Sequence, residues 1–132
     1  MKEFHLEIVT PDGLAFDENV ESLTVRTDDG DVEFLAGHID YMASLGTGKA
    51  RIKKDGSERL ASVSGGFVSV SGGSVKLVAI TFEFQEDIDL ERAVAAKEKA
   101  TEILAGAQDA AMIDLAQAKL QRALNRISVA ES

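Results

Sequence analysis

The sequence predicts an α+β protein in two parts: an N-terminal β-sandwich or flattened barrel of about ten strands, then an antiparallel α-helical hairpin. Three observations carry this reading. Up to about residue 84, apolar and polar residues alternate and glycine-containing turns recur at short intervals. After Asp87 glycine nearly disappears, proline is absent, and alanine, leucine, lysine and glutamate take over. Between two helical stretches, Ala105-Gly106-Ala107-Gln108-Asp109 offers a glycine stop and an aspartate start. The domains so predicted are 1–85 and 86–132.

Taken in order, Phe4, Leu6 and Ile8 alternate with His5 and Glu7, and Leu23 and Val25 alternate with Thr24 and Arg26. Phe67 and Val70 sit in a Val/Ser-rich run, and Val75, Leu77 and Ala79 alternate after it. Turn signals separate these runs at Pro11-Asp12-Gly13, Asp28-Asp29-Gly30, Asp55-Gly56 and Gly72-Gly73. The last two suit tight hairpins, because glycine accepts the positive φ that such turns require.

In the second half, Leu90, Ala93, Val94, Lys97, Ala100 and Leu104 share one helical face, and Ile113, Gln117, Leu120, Leu124 and Ile127 form a second stripe. So short a turn between them predicts a fold-back. Alanine-rich stripes allow close approach but bury little area, so the hairpin is expected to be the mobile half.

Composition narrows the function. Hydrophobic residues make up 45% and charged residues 28%, as in ordinary globular proteins. The absence of cysteine excludes disulfides and thiolate metal sites. Glu3 and Glu7 interrupt the apolar run a secretory signal would need, and no stretch approaches the roughly 18 apolar residues of a membrane span. A net charge of −9 argues against a general nucleic-acid surface. Residues 86–132 carry nine acids and six bases, yet Leu115 to Ala130 contains Lys119, Arg122 and Arg126 and no acid. Alone, that stretch reads as a solvated helix face.

Several segments, in order, resemble the epsilon subunit of F-type ATP synthases. Val9-Thr10-Pro11-Asp12-Gly13 is similar to the family's opening strand and turn. Gly30 to His38 is similar to its loop ending in leucine-proline-glycine-histidine, with Ala36 in place of the proline, Asp31 in place of a glutamate and Glu33 in place of a glycine. Ser64-Gly65-Gly66-Phe67 matches a family motif at the start of a strand. Asp87-Ile88-Asp89-Leu90-Glu91-Arg92-Ala93 matches the isoleucine-aspartate-x-x-arginine-alanine motif of ATP-binding members, and Ala123 to Glu131 resembles the Bacillus type.

The resemblance implies a peripheral, non-catalytic subunit on the cytoplasmic face of the bacterial membrane, within a proton-transporting rotary complex. Its implied partners are the γ subunit, the c subunits of the rotor ring and the α/β catalytic subunits. Asp31 and His38 become candidate contacts to ring and stalk, His38 being equally readable as a turn histidine bonded to nearby backbone. By the same match Glu83, Ile88, Asp89, Arg92, Ala93, Lys99, Arg122 and Arg126 would line a site for regulatory, unhydrolysed ATP, with Mg²⁺ left open. Lys99 stands where the family has arginine, and Phe84 replaces a polar neighbour.

Residue chemistry is compatible with such a site. Arg92 and Lys99 lie two turns apart on one helical face, and Arg122 and Arg126 one turn apart on the next. A fold-back would bring four cations to one groove, where arginine's planar fork suits phosphate oxygens. No Walker-type glycine loop is present. The competing structural role is that Asp89 caps the first helix. The implied mechanism is a hairpin that ATP holds folded against the sandwich. Extended, it would carry Lys119, Arg122 and Arg126 to an acidic loop of the β subunit and block hydrolysis.

Three rival readings are a coupling subunit without nucleotide sensing, a small-ligand enzyme on a sandwich, and an adaptor binding a partner helix. With only His5 and His38 as histidines and no Ser-His-Asp spacing, the enzyme reading has little support.

Overall fold

The computed structural model describes residues 2–132. Residues up to Phe84 form one compact unit and Gln85–Ser132 a second.

The first unit holds eight strands among the described residues: β1 (Phe4–Thr10), β2 (Gly13–Val20), β3 (Ser22–Thr27), β4 (Gly30–Leu35), β5 (Tyr41–Ser44), β6 (Gly48–Lys54), β7 (Ser57–Ser71) and β8 (Ser74–Phe84). Their order is β2-β1-β8-β7-β6-β3-β4, with β5 also paired to β7. All pairs are antiparallel except β1 with β8. Fewer strands than the predicted ten suffice because β7 spans 15 residues and β8 spans 11. The first part of β7 pairs with β6, and the part after Gly66 pairs with β5.

The bend between those parts lies at Ser64-Gly65-Gly66-Phe67, so this motif is mid-strand, not a strand start. Gly66 has φ +100°, and a Cβ there would lie 1.8 Å from the Val78 carbonyl oxygen. Only glycine allows so close an approach of two backbones. The inward faces carry Leu6, Ile8, Leu23, Phe34, Ile52 and Leu77, all essentially inaccessible to solvent.

The predicted turns form as their residues dictate. Asp55-Gly56 and Gly72-Gly73 each take positive φ in two-residue hairpin loops between Lys54 and Ser57 and between Ser71 and Ser74. Thr10-Pro11-Asp12-Gly13 and Thr27-Asp28-Asp29-Gly30 build one device twice. In each, the threonine hydroxyl donates to the glycine carbonyl and accepts from the aspartate N–H.

The second unit begins with a 3₁₀ turn over Gln85–Asp87, followed by α1 (Leu90–Gly106) and α2 (Ala110–Ala130). Asp89 caps α1 by accepting from Arg92 N–H at 3.1 Å, and Asp109 caps α2 by accepting from Met112 N–H at 2.8 Å. Gly106 is the last helical residue and Ala107 the C-cap, extended at φ −70°, so no left-handed glycine ends α1. The two helices pack against each other. Their buried positions are Ala93 and Ala100 on α1, and Ala116, Ala123 and Val129 on α2. The predicted stripe on α2 holds in part: Ile113, Leu120 and Ile127 are half-buried, but Gln117 and Leu124 are exposed, and the residues one before them, Ala116 and Ala123, face inward.

Candidate functional site

Two surfaces concentrate the residues that the sequence singled out. The first is one side of the helical hairpin. Ala93 and Ala100, like Ala116 and Ala123, are seven residues apart, the repeat at which a helix returns to the same face. Antiparallel packing then sets Ala93 level with Ala123 and Ala100 level with Ala116. Arg92 and Lys99 each precede a buried alanine on α1, and Arg122 precedes one on α2. In an antiparallel pair of right-handed helices, residues one before the contact position point to the same side of the pair. Arg126, three residues beyond Ala123, points there as well.

The axial positions refine the predicted four-cation cluster. By helical spacing Arg92 lies level with the interval between Arg122 and Arg126. Lys99 lies two turns further on, about 10 Å along the axis at 1.5 Å per residue. Lys119 shares its side and its level. Arg92 and Lys99 are exposed, and Arg122 and Arg126 are half-buried. Among the described residues, Arg92, Lys99, Lys119 and Arg122 form no ion pair.

The remaining predicted ligand residues are placed as follows. Asp89 sits at the head of α1 with one carboxylate oxygen engaged in the cap. Ile88 is half-buried just before it, and Ala93 is wholly buried. Glu83 is the penultimate residue of β8 and belongs to the first unit.

The second surface is the loop and outer face of the sandwich. Asp31, on β4, is exposed and bonded to Arg26 Nε at 3.0 Å, its direct cross-strand neighbour on β3. His38 Nδ1 bonds to the Ile39 carbonyl at 2.7 Å, the nearby-backbone arrangement. Its ring stands edge-on to Phe34 and Tyr41, with centroids 4.9 and 5.9 Å away. Tyr41 donates to Asp29 Oδ2 at 2.9 Å. That hydrogen bond, with partial desolvation, raises the tyrosine pKa above its ordinary value. Within this loop Gly37 takes φ +81°, beside the cluster of Phe34, His38 and Tyr41.

Sequence reasoning missed an apolar row on the outer face of β2, β1, β8 and β7. Leu14 pairs with Val9, Val9 with Val78, and Val78 with Phe67, so one row of side chains crosses β2, β1, β8 and β7. Leu14 and Phe67 are exposed, as is Ile80 two residues beyond Val78. A signal existed in Val78 and Ile80, which continue an apolar run past the alternating inward positions. Strand alternation alone could not show that four strands align them.

Known proteins share both halves of this architecture. Residues 3–85 match the family profile "ATP synthase, Delta/Epsilon chain, beta-sandwich domain", and residues 86–131 match "ATP synthase, Delta/Epsilon chain, long alpha-helix domain". The chain is 45% identical over 130 residues to the ATP synthase epsilon chain of Bacillus velezensis, covering 98% of both chains. It is equally identical to that of Bacillus subtilis strain 168, again over 98% of both. A chain in the cryo-EM structure of Euglena gracilis mitochondrial ATP synthase, OSCP/F1/c-ring, superposes with a TM-score of 0.83 at 25% identity. That match covers 98% of this chain and 82% of the other.

Proposed function

Because this chain belongs to the ATP synthase delta/epsilon family, with both family domains matched in order, we propose that its helical hairpin is an ATP-stabilised brake on hydrolysis. The chain is an epsilon-type, non-catalytic subunit of the rotary complex. Among the described residues no helix is long and apolar enough to cross a membrane; the chain would be held peripherally at the cytoplasmic face through the γ subunit and the ring. The apolar row through Leu14, Val9, Val78 and Phe67, with the loop of Asp31 and His38, is the surface best suited to that docking.

What supports the sensor reading is the pairing of the two helices, whose spacing sets Arg92, Arg122 and Arg126 on one side near the head of α1. Three guanidinium groups on two helices suit a polyphosphate, and a ligand that engages both helices favours the closed hairpin. ATP at 100 times its Kd would stabilise that state by about 2.7 kcal/mol. For helices joined through alanine, this is enough to decide the population. With ATP scarce, the hairpin opens and presents Lys119, Arg122 and Arg126 to an acidic loop of the β subunit, blocking rotation in the hydrolysis direction. Binding needs no turnover.

Calorimetric titration of ATP into the isolated chain tests this reading, with Arg92→Ala as control. Saturable one-to-one binding lost in the variant supports it; no heat at millimolar ATP overturns it. In a catalytic head assembled with the chain, Arg122→Ala/Arg126→Ala should relieve inhibition, and full inhibition by that variant would sink the brake. A second reading, coupling without sensing, is favoured by the Asp89 cap, which gives the motif aspartate a purely structural task. The titration separates the two.

A further inference from the structure

The sheet register brings three donor side chains of two chemical kinds together on the solvent face of the sandwich. His5 and Glu7 lie two apart on β1, so both point away from the core that Phe4, Leu6 and Ile8 enter. Asp17, on β2, is the direct cross-strand partner of Glu7. One ligating atom from each of His5, Glu7 and Asp17 lies within 4.8 Å of the others. His5 Nε2 already stands 2.7 Å from Asp17 Oδ1.

We propose that His5, Glu7 and Asp17 form a surface site for a late first-row divalent cation, Zn²⁺ being the type ion. The donor chemistry selects the class. An imidazole nitrogen with two carboxylates suits zinc and its neighbours, whereas calcium and magnesium take oxygen shells. The spacing is within reach too, since ligands about 2.0–2.2 Å from a common ion lie within roughly 4.4 Å of one another. Around a tetrahedral ion such donors stand roughly 3.3–3.6 Å apart, so the side chains must draw together by about 1 Å or more through rotamer adjustment.

The charge pattern points the same way. Two carboxylates directly opposite across an antiparallel pair repel. Lys76 reaches Glu7 at 3.6 Å and His5 Nε2 stands 2.7 Å from Asp17 Oδ1, so each carboxylate of the metal-free site already has a partner. A cation between the three donors replaces the proton shared by His5 and Asp17 and neutralises both carboxylates, and water fills the rest of its shell. Both His5 and Asp17 are close to half exposed, so an ion has access.

The location suggests what the ion does. β2 is the edge strand of the sheet, and β1 is held between β2 and β8. A metal bridging β1 to β2 staples the edge to the interior at the mouth of the β1–β2 hairpin, on backbone that does not need to reorganise. The sequence conceals this site because its third donor comes from the next strand and no short spacing links it to His5.

Zn²⁺ titrated calorimetrically into the untagged full chain tests the proposal, with Co²⁺ absorption reporting the ligand field. One saturable site is expected, with a cobalt spectrum of low coordination number. His5→Ala and Asp17→Asn should each weaken it about tenfold or more, and His38→Ala should leave it unchanged. These side chains are at the surface, so circular dichroism should show all variants folded. The proposal is overturned by unsaturable binding, by undiminished affinity in His5→Ala, or by Ca²⁺ or Mg²⁺ binding as tightly as Zn²⁺.

Discussion

Gln85 Nε2 donates to the Val129 carbonyl oxygen across 2.9 Å, and also to the Ser132 carbonyl across 2.8 Å. One side chain at the start of the second unit thus bonds the carbonyl of Val129 in the last turn of α2, which also accepts from Ser132 N–H at 3.2 Å, and that of Ser132 just beyond the helix. The hairpin is closed at both ends, by the Ala107–Asp109 turn and by Gln85. Replacing Gln85 with alanine should cost about 1 kcal/mol. Amide exchange over Ser128 to Glu131 should accelerate while β1 to β8 stay unchanged. Uniform exchange across both units would contradict a latch local to the hairpin.

The alanine contact makes a second, opposite test of the same element. Ala123 is buried opposite Ala93, and leucine there adds volume with nowhere to go. Ala123→Leu should destabilise the closed hairpin by about 1–3 kcal/mol. The melting of the sandwich, followed by its own aromatic signals, should not move. If the proposed brake is right, the same variant should inhibit hydrolysis more strongly at a given ATP concentration, because opening is favoured before any ligand is lost.

Gly66 makes a claim on the sandwich. Its φ of +100° already disfavours any side chain, and a Cβ at this position would stand 1.8 Å from the Val78 carbonyl oxygen. Gly66→Ala should lose at least about 3 kcal/mol, seen as a fall in denaturant midpoint. Gly56→Ala, at a turn where a Cβ meets nothing within 4 Å, should cost far less.

Tyr41 offers a clean optical titration, since the chain has one tyrosine and no tryptophan. The bond to Asp29 stabilises the protonated phenol in the folded chain and raises its pKa. That stabilisation is intact below the unfolded value, about 10, and is lost as pH rises through the folded value. Absorbance at the phenolate band should therefore appear above the ordinary range, and Asp29→Asn should move the midpoint down. An identical midpoint in both proteins would show that the hydrogen bond does not govern the loop.

What was legible in the sequence follows from how local each feature is. Asp55-Gly56, Gly72-Gly73, the Asp89 and Asp109 caps and the change of period after Asp87 depend on neighbours in the chain, and all formed. Features that depend on alignment between elements were hidden. The row from Leu14 to Phe67 needs the pairing of four strands, and the merging of short predicted strands into β7 and β8 needs the bend at Gly66. On α2 the shift from Gln117 and Leu124 to Ala116 and Ala123 has a simple cause. Hydrophobic spacing marks one stripe, but close helix packing selects small size. That one-position shift is what decides which cations share a side.

The same shift yields the sharpest prediction about the nucleotide site. On the proposed reading Arg92, Arg122 and Arg126 share one level of the hairpin, whereas Lys99 lies about 10 Å along the axis from Arg92. If a triphosphate binds between the helices, Arg126→Ala and Arg92→Ala should each weaken ATP by more than tenfold, the loss of a charge-assisted pair worth about 1.5–3 kcal/mol. Lys99→Ala should weaken it only a few-fold, as a longer-range charge screened by solvent. Lys99→Arg should change little. Calorimetry of the four variants reads this directly. Equal losses at positions 92, 99 and 126 would mean that the ligand spans both levels of the hairpin, with Lys99 and Lys119 holding one end of it.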